Sequence, residues 1–139
     1  MRSKPSTWRY TLIVPLAAGL SAAAGAALAA TPATVLANYR AAAGNAAASA
    51  DRGQQLFTTT HGREWSCASC HGTLPTRAGQ HAGTGKPIAP LAPAVNPQRF
   101  TDAGKTEKWF RRNCNDVMGR ECSAAEKADV LTWLLSLNP

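Results

Sequence analysis

The chain has 139 residues, with 15 Lys+Arg against 8 Asp+Glu, a formal charge of +7 and four cysteines. That length holds one domain and excludes a large multidomain enzyme or a polytopic membrane protein. An apolar fraction of 45% excludes disorder along the whole length, and the basic excess points to nucleic acid or an anionic membrane only once its position is known.

Position weakens that pointer. Arg2, Lys4 and Arg9 precede an uncharged run from Tyr10 to Ala30, which opens on Leu12, Ile13, Val14 and Leu16 and closes on Ala27-Leu28-Ala29. A basic start, an apolar centre and a small-x-small end are what a signal peptidase reads. A membrane anchor of about 20 apolar residues is the rival. The second half of the run is nearly all Ala and Gly, and no basic stop-transfer cluster follows. Residues 1–29 therefore read as a cleaved signal peptide and 30–139 as one mature domain. With three basic residues removed, the mature chain keeps twelve against eight acidic, or +4. It is expected in the periplasm, without membrane insertion, where disulfides persist.

Thr31-Pro32 reads as an N-cap with Pro at the first helical position, followed by a helix over Ala33 to Ala43 that Gly44-Asn45 stops. Ser49 caps a second short helix reaching Phe57. From Thr58 to Thr73 the residues are polar, Gly-bearing and Cys/His-dense, which predicts loop or irregular turn. Gly72 to Pro97 holds five prolines and shows no sustained period, so irregular chain is expected there. Loops of that length are usually functional or wrapped around something, and a prosthetic group would serve.

Thr101 or Asp102 opens a third helix through Lys105, Trp109, Phe110 and Asn113. Ser123-Ala124-Ala125-Glu126 is a capping box for the last, with Val130, Leu131, Leu134 and Leu137 as its apolar stripe. No strand with period-two alternation is visible. The expectation is an all-α fold of about four helices with a long Pro/Gly-rich loop.

Cys67-Ala68-Ser69-Cys70-His71 carries the chemistry. Two thiols three positions apart can each add to a haem vinyl group, and the next histidine is then placed to hold the iron. A zinc site would want a second close pair, but Cys114 and Cys122 are eight apart and over forty residues downstream. A thioredoxin-like pair would want a βαβ context, which is missing. One covalently bound haem c, with its iron, is the predicted cofactor.

The other face of the iron decides what such a protein does. Met118 lies just before the last helix, roughly where ordinary small cytochromes c present their ligand. It also falls between Cys114 and Cys122, a pair expected to be disulfide-bonded in an oxidising compartment. Asn113 shares one helix face with Trp109, Phe110 and Val117, at i, i+1, i+4 and i+8. An amide within an aromatic stripe must be satisfied. Spacing alone favours a hydrogen bond to a neighbouring backbone group, and the sharper reading puts its carbonyl oxygen on the iron. The aromatic rings read either as plain helix core or as the lining of a haem pocket. His61 is a weaker rival ligand, and His81 in the Gly/Pro-rich loop reads as solvent-facing.

The haem motif preceded by His61-Gly62-Arg63-Glu64-Trp65-Ser66, together with the run from Trp109 to Asp129, resembles one family. It is the SHP-type oxygen-binding cytochromes c, with a class I cytochrome c-like fold, related to cytochrome c''. The resemblance implies an iron held by His71 and Asn113 when oxidised, beside a Cys114–Cys122 disulfide. It implies that the Asn leaves on reduction and that the open site takes O2, NO or CO. The related cytochrome c'' has a detachable histidine at the position of Asn113, and asparagine here favours the SHP type. A dihaem cytochrome c is the implied redox partner.

The alternatives are a simple shuttle with permanent His71 and Met118 ligands, and an NO- or peroxide-consuming haem enzyme. No separate acid–base pair speaks for the enzyme. Lys105, Lys108, Arg111 and Arg112 read as a solvated helix face, or as partners of haem propionates or an acidic protein. Nothing supports nucleic-acid binding.

Overall fold

The computed structural model describes residues 30–139. The signal segment, 1–29, lies outside the described residues. Five helices follow in order: α1 (Pro32–Ala42), α2 (Ala50–Thr58), α3 (Cys67–His71), α4 (Ala103–Met118) and α5 (Ala124–Ser136). Between α3 and α4 a two-residue antiparallel ribbon pairs Gly79–Gln80 (β1) with Pro87–Ile88 (β2).

The helix starts follow from local chemistry. Orphan N–H groups of a first turn are satisfied by a side chain three residues earlier. Thr31, Ser49, Asp102 and Ser123 each accept from the backbone N–H three residues on, with Thr31 and Ser123 closing full capping boxes. At the far ends, Gly44 and Asn45 turn the chain left-handed after α1, and Gly119, at φ 71°, does so after α4.

The core lies where α2 crosses α5. Phe57, Val130, Trp133 and Leu134 form its buried cluster, with the Phe57 and Trp133 rings 4.9 Å apart. Val130, Leu131 and Leu134 of the expected stripe are buried, and Leu137 packs against the cluster from the edge. Gly53 makes this crossing possible: a Cβ there would run into the Asp129 carbonyl and come within 2.8 Å of the Val130 nitrogen. Only a hydrogen atom fits. A second tie holds the same pair, because the buried Asp129 carboxylate takes Nε and Nη2 of Arg52 at 2.7 and 2.8 Å. It also accepts from the Ser49 N–H at 2.7 Å.

Helix α1 lies along α5, whereas α4 stands off the α2–α5 pair and is joined to it through side chains. Two expectations need correcting. The segment 58–73 is not all loop, since α3 winds through it. Ser66 and Ser69 explain why, as the Ser66 N–H donates to Ser69 Oγ at 3.0 Å and starts the turn. The 72–97 segment is not wholly irregular either. Its ribbon forms where Gly79 passes against the Cys70 carbonyl, an approach closed to any side chain.

Candidate haem site

α3 supplies the attachment residues. One helical turn puts positions i, i+3 and i+4 on a common face. Cys67, Cys70 and His71 hold those positions. Both thiols are half-buried. Burial, helped by the neighbouring Cys70, pushes the Cys67 thiol up to about 11, so it stays protonated at neutral pH. Among the described residues no group of three or more His, Cys, Asp or Glu converges as a metal cluster, so the zinc rival lacks its ligands. Cys70 Sγ also accepts from the Ala82 N–H at 3.3 Å, tying α3 to the loop beyond β1.

The His71 ring lies 6.0 Å from the Phe57 ring at a 45° tilt, against the core. Burial and then the positive charge of Arg99 lower its pKa to about 4, leaving a neutral imidazole with a lone pair to give. None of the hydrogen bonds among the described residues involves that ring. Arg99 was not legible in the sequence. It comes near His71 because its guanidinium is held by the carbonyls of Pro90, at 2.9 Å, and Ala89, at 2.7 Å. The proline-rich segment thus wraps a fixed cation beside the imidazole.

Asn113 stands half-buried on α4. The backbone hydrogen bond that spacing alone favours is not formed, and no other described residue bonds the Asn113 amide. Its neighbour Asn115 makes such a bond instead, to the Arg111 carbonyl at 2.7 Å. The two aromatics of the stripe also part company. Phe110 turns inward, edge-on to Tyr39 at 5.7 Å and against the core cluster. Trp109 remains 46% exposed, with the Arg112 guanidinium 5.6 Å from its ring centre.

Directly after Asn113, Cys114 is disulfide-bonded to Cys122 across a Cα–Cα distance of 5.6 Å. Met118 rests its Sδ 3.5 Å from the Cys122 sulfur. His61 donates from Nε2 to the Leu56 carbonyl at 2.8 Å. His81 is exposed and accepts from the Gly83 N–H at 3.2 Å. Lys105, Lys108, Arg111 and Arg112 are all exposed.

This donor set fits a covalently attached haem. Two half-buried thiols share a helical turn with an imidazole that has no hydrogen-bond partner among the described residues, and α4 carries a half-buried amide that has none there either.

The comparisons agree. Residues 43–134 match a family model described as a domain of unknown function, DUF1924. Cytochrome c-type protein SHP of Cereibacter sphaeroides is 56% identical over 108 residues, 75% of this chain and 82% of that protein. The chain belongs to the SHP-type cytochromes c.

The solved structure of oxidized SHP, described as an oxygen-binding cytochrome c, superposes with a TM-score of 0.73 at 51% identity, covering 78% of this chain and 99% of that one. Cytochrome c'' of Methylophilus methylotrophus is 49% identical over 80 residues, 58% of this chain and 56% of that protein. Its oxidized crystal structure gives a TM-score of 0.72 at 38% identity, over 78% of this chain and 95% of that one. As an SHP-type cytochrome, the chain is a periplasmic, all-α, class I cytochrome c-like protein with covalently bound haem c. It transfers electrons and is not an enzyme. Among the described residues no helix is long and apolar enough to cross a membrane.

Proposed function

We propose that this cytochrome switches its own iron between a closed oxidised state and an open reduced state that accepts a small diatomic gas. Cys67 and Cys70 would hold the haem by thioethers, His71 would be the permanent ligand and Asn113 the labile one. The haem would supply a one-electron iron couple. The observation that carries the reading is the half-buried Asn113 amide, which has no partner among the described residues. No buried side-chain oxygen or nitrogen among the described residues lacks a partner, so the Asn113 amide is reachable, and its oxygen can be given to the iron without breaking a protein hydrogen bond.

The chemistry of the amide explains the switch. A carboxamide oxygen is a hard, neutral, weak donor that suits ferric iron and poorly suits the softer ferrous ion. Asn113 would therefore hold the iron weakly once it is reduced, and its free NH2 could donate a hydrogen bond to a diatomic guest. The relative solved as an oxygen-binding cytochrome points to O2, with NO and CO as guests of the same shape. Trp109 would cover the haem rather than solvent. The redox partner is an electron-transfer protein, and a dihaem cytochrome c is the partner proposed. Residues 1–29 are proposed as the export signal, leaving 30–139 as the working domain.

The shuttle alternative needs Met118 on the iron, and the thioether is instead packed against the disulfide. One experiment separates the two. The ferrous protein should be high-spin and convert to a low-spin adduct on adding CO. A ferrous spectrum that is low-spin and indifferent to CO would overturn the proposal, and a ferric near-infrared methionine–iron band would establish the shuttle.

A further inference from the structure

Helix α4 carries Asn113, yet it stands off the α2–α5 pair. Apolar contact through Thr106, Phe110 and Val117 buries one of its faces. Such contact is non-directional and does not by itself fix where along its axis a helix sits. Two directional ties do so. One is the Cys114–Cys122 disulfide at the C-terminal end. The other is Glu107, six residues before Asn113.

Glu107 reaches two other helices at once. Its Oε1 takes the Lys127 ammonium of α5 at 2.7 Å, and its Oε2 accepts from the Tyr39 hydroxyl of α1 at 3.0 Å. Lys127 is 7% exposed, and its ammonium hydrogen-bonds only Glu107 among the described residues. Its ammonium also lies 5.6 Å from the centre of the Tyr39 ring, whose edge meets Phe110. A buried cation with a single counter-charge holds that partner firmly, because separation would leave it unpaired. Burial alone would raise the Glu107 carboxyl, but hydrogen bonds from Lys127 and Tyr39 and the charges of Lys127 and Arg111 keep it below its ordinary value. It is ionised at neutral pH.

We infer that Glu107 is a positioning residue for Asn113: clamped by Tyr39 and Lys127, it sets how tightly the amide holds the ferric iron. The inference rests on the reading of Asn113 as the labile ligand. A weak donor tolerates little displacement, and about 1 Å of misplacement is enough to spoil a contact of this kind. The clamp therefore acts chiefly on the oxidised state, where Asn113 would be bound, and in the reduced state bears only on a hydrogen bond to a guest, which CO hardly accepts. Tyr39 lies before the residues matched by the family model, so this element of the switch is set by a helix outside it.

The test uses the haem-loaded protein with Glu107→Gln, Tyr39→Phe and Asn113→Ala. Gln keeps an acceptor for the buried ammonium and removes the charge, and Phe keeps the ring on Phe110 and removes one hydrogen bond. Glu107→Gln is expected to weaken ferric Asn113 binding about tenfold, the worth of one charge-assisted hydrogen bond. The ferric spectrum then gains a high-spin component, and the midpoint potential rises by up to about 59 mV. Tyr39→Phe moves both in the same direction by less. Ferrous CO affinity stays within about twofold of the parent in both, which a general loosening of the pocket would not allow.

If both variants keep the parent's ferric spectrum and potential while Asn113→Ala changes them, the positioning role is overturned and the ligand reading stands. A change in ferrous CO affinity as large as the ferric change overturns it too. If Asn113→Ala itself leaves the ferric spectrum unaltered, the ligand reading is what fails. Should Glu107→Gln not fold around its haem, Tyr39→Phe decides alone.

Discussion

The Sδ of Met118 lies 3.5 Å from the Sγ of Cys122, in contact with the bridge that closes the end of α4. A bridged sulfur has no proton to give, so this is a packing contact between two soft, polarizable atoms. It accounts for the one methionine of the described chain without any role at the iron. Met118→Leu should leave the ferric absorption spectrum and spin state unaltered and cost less than about 1.5 kcal/mol in denaturant unfolding. Loss of the sixth ligand in that variant would return the shuttle reading.

Asn113→Ala should convert the ferric protein from six-coordinate low-spin toward high-spin, since alanine offers no donor. The ferrous spectrum should hardly move, because in the proposed reduced state the amide is off the iron. Ferric electron paramagnetic resonance beside ferrous absorption reads both outcomes in one sample series.

Gly53→Ala should destabilise the fold severely. The added methyl meets the backbone of Asp129 and Val130, which cannot swing aside as a side chain would. Overpacking of this kind costs about 1–3 kcal/mol or more. Urea unfolding followed by far-UV circular dichroism should show a lower midpoint with an unchanged slope.

Removing the Cys114–Cys122 bridge by double substitution to Ala should cost about 2.5 kcal/mol in the chain-entropy model for a loop of this length. Because Cys114 follows Asn113 directly, the same variant should also gain ferric high-spin character. Thermal unfolding and the ferric spectrum, taken together, check both effects.

Acid should weaken the start of α5. The hydrogen bond from Arg120 is the main force lowering the Glu126 pKa, to about 2 from its ordinary 4.5, and it outweighs the opposing effect of burial. The Ser123 backbone N–H at 2.8 Å adds to the depression. A depressed carboxylate stabilises the fold fully above its unfolded value and loses that contribution as pH falls from about 4.5 toward 2. With both side chains partly in water, the effect is on the order of 1 kcal/mol. Glu126→Gln should therefore show a flatter loss of stability across that pH window than the parent.

What was readable from the sequence was what neighbours along the chain decide. Thr31, Ser49, Asp102 and Ser123 mark helix starts because a cap acts on an N–H three residues away. Cys67, Cys70 and His71 announce haem attachment because thioether spacing is a local matter. The Val130, Leu131, Leu134 stripe is a period of one helix. Tertiary structure alone decided the rest. Glu107 meets Tyr39 across 68 residues and Lys127 across 20, and that meeting depends on how three helices cross. The α2–α5 crossing makes Gly53 indispensable, packing on α1 turns Phe110 inward while Trp109 stays at the surface, and the carbonyls of Pro90 and Ala89 hold Arg99 beside His71. Asn113 is the sharpest case. Its spacing favours an amide satisfied by its own backbone, and the folded chain instead leaves that half-buried amide without a partner among the described residues.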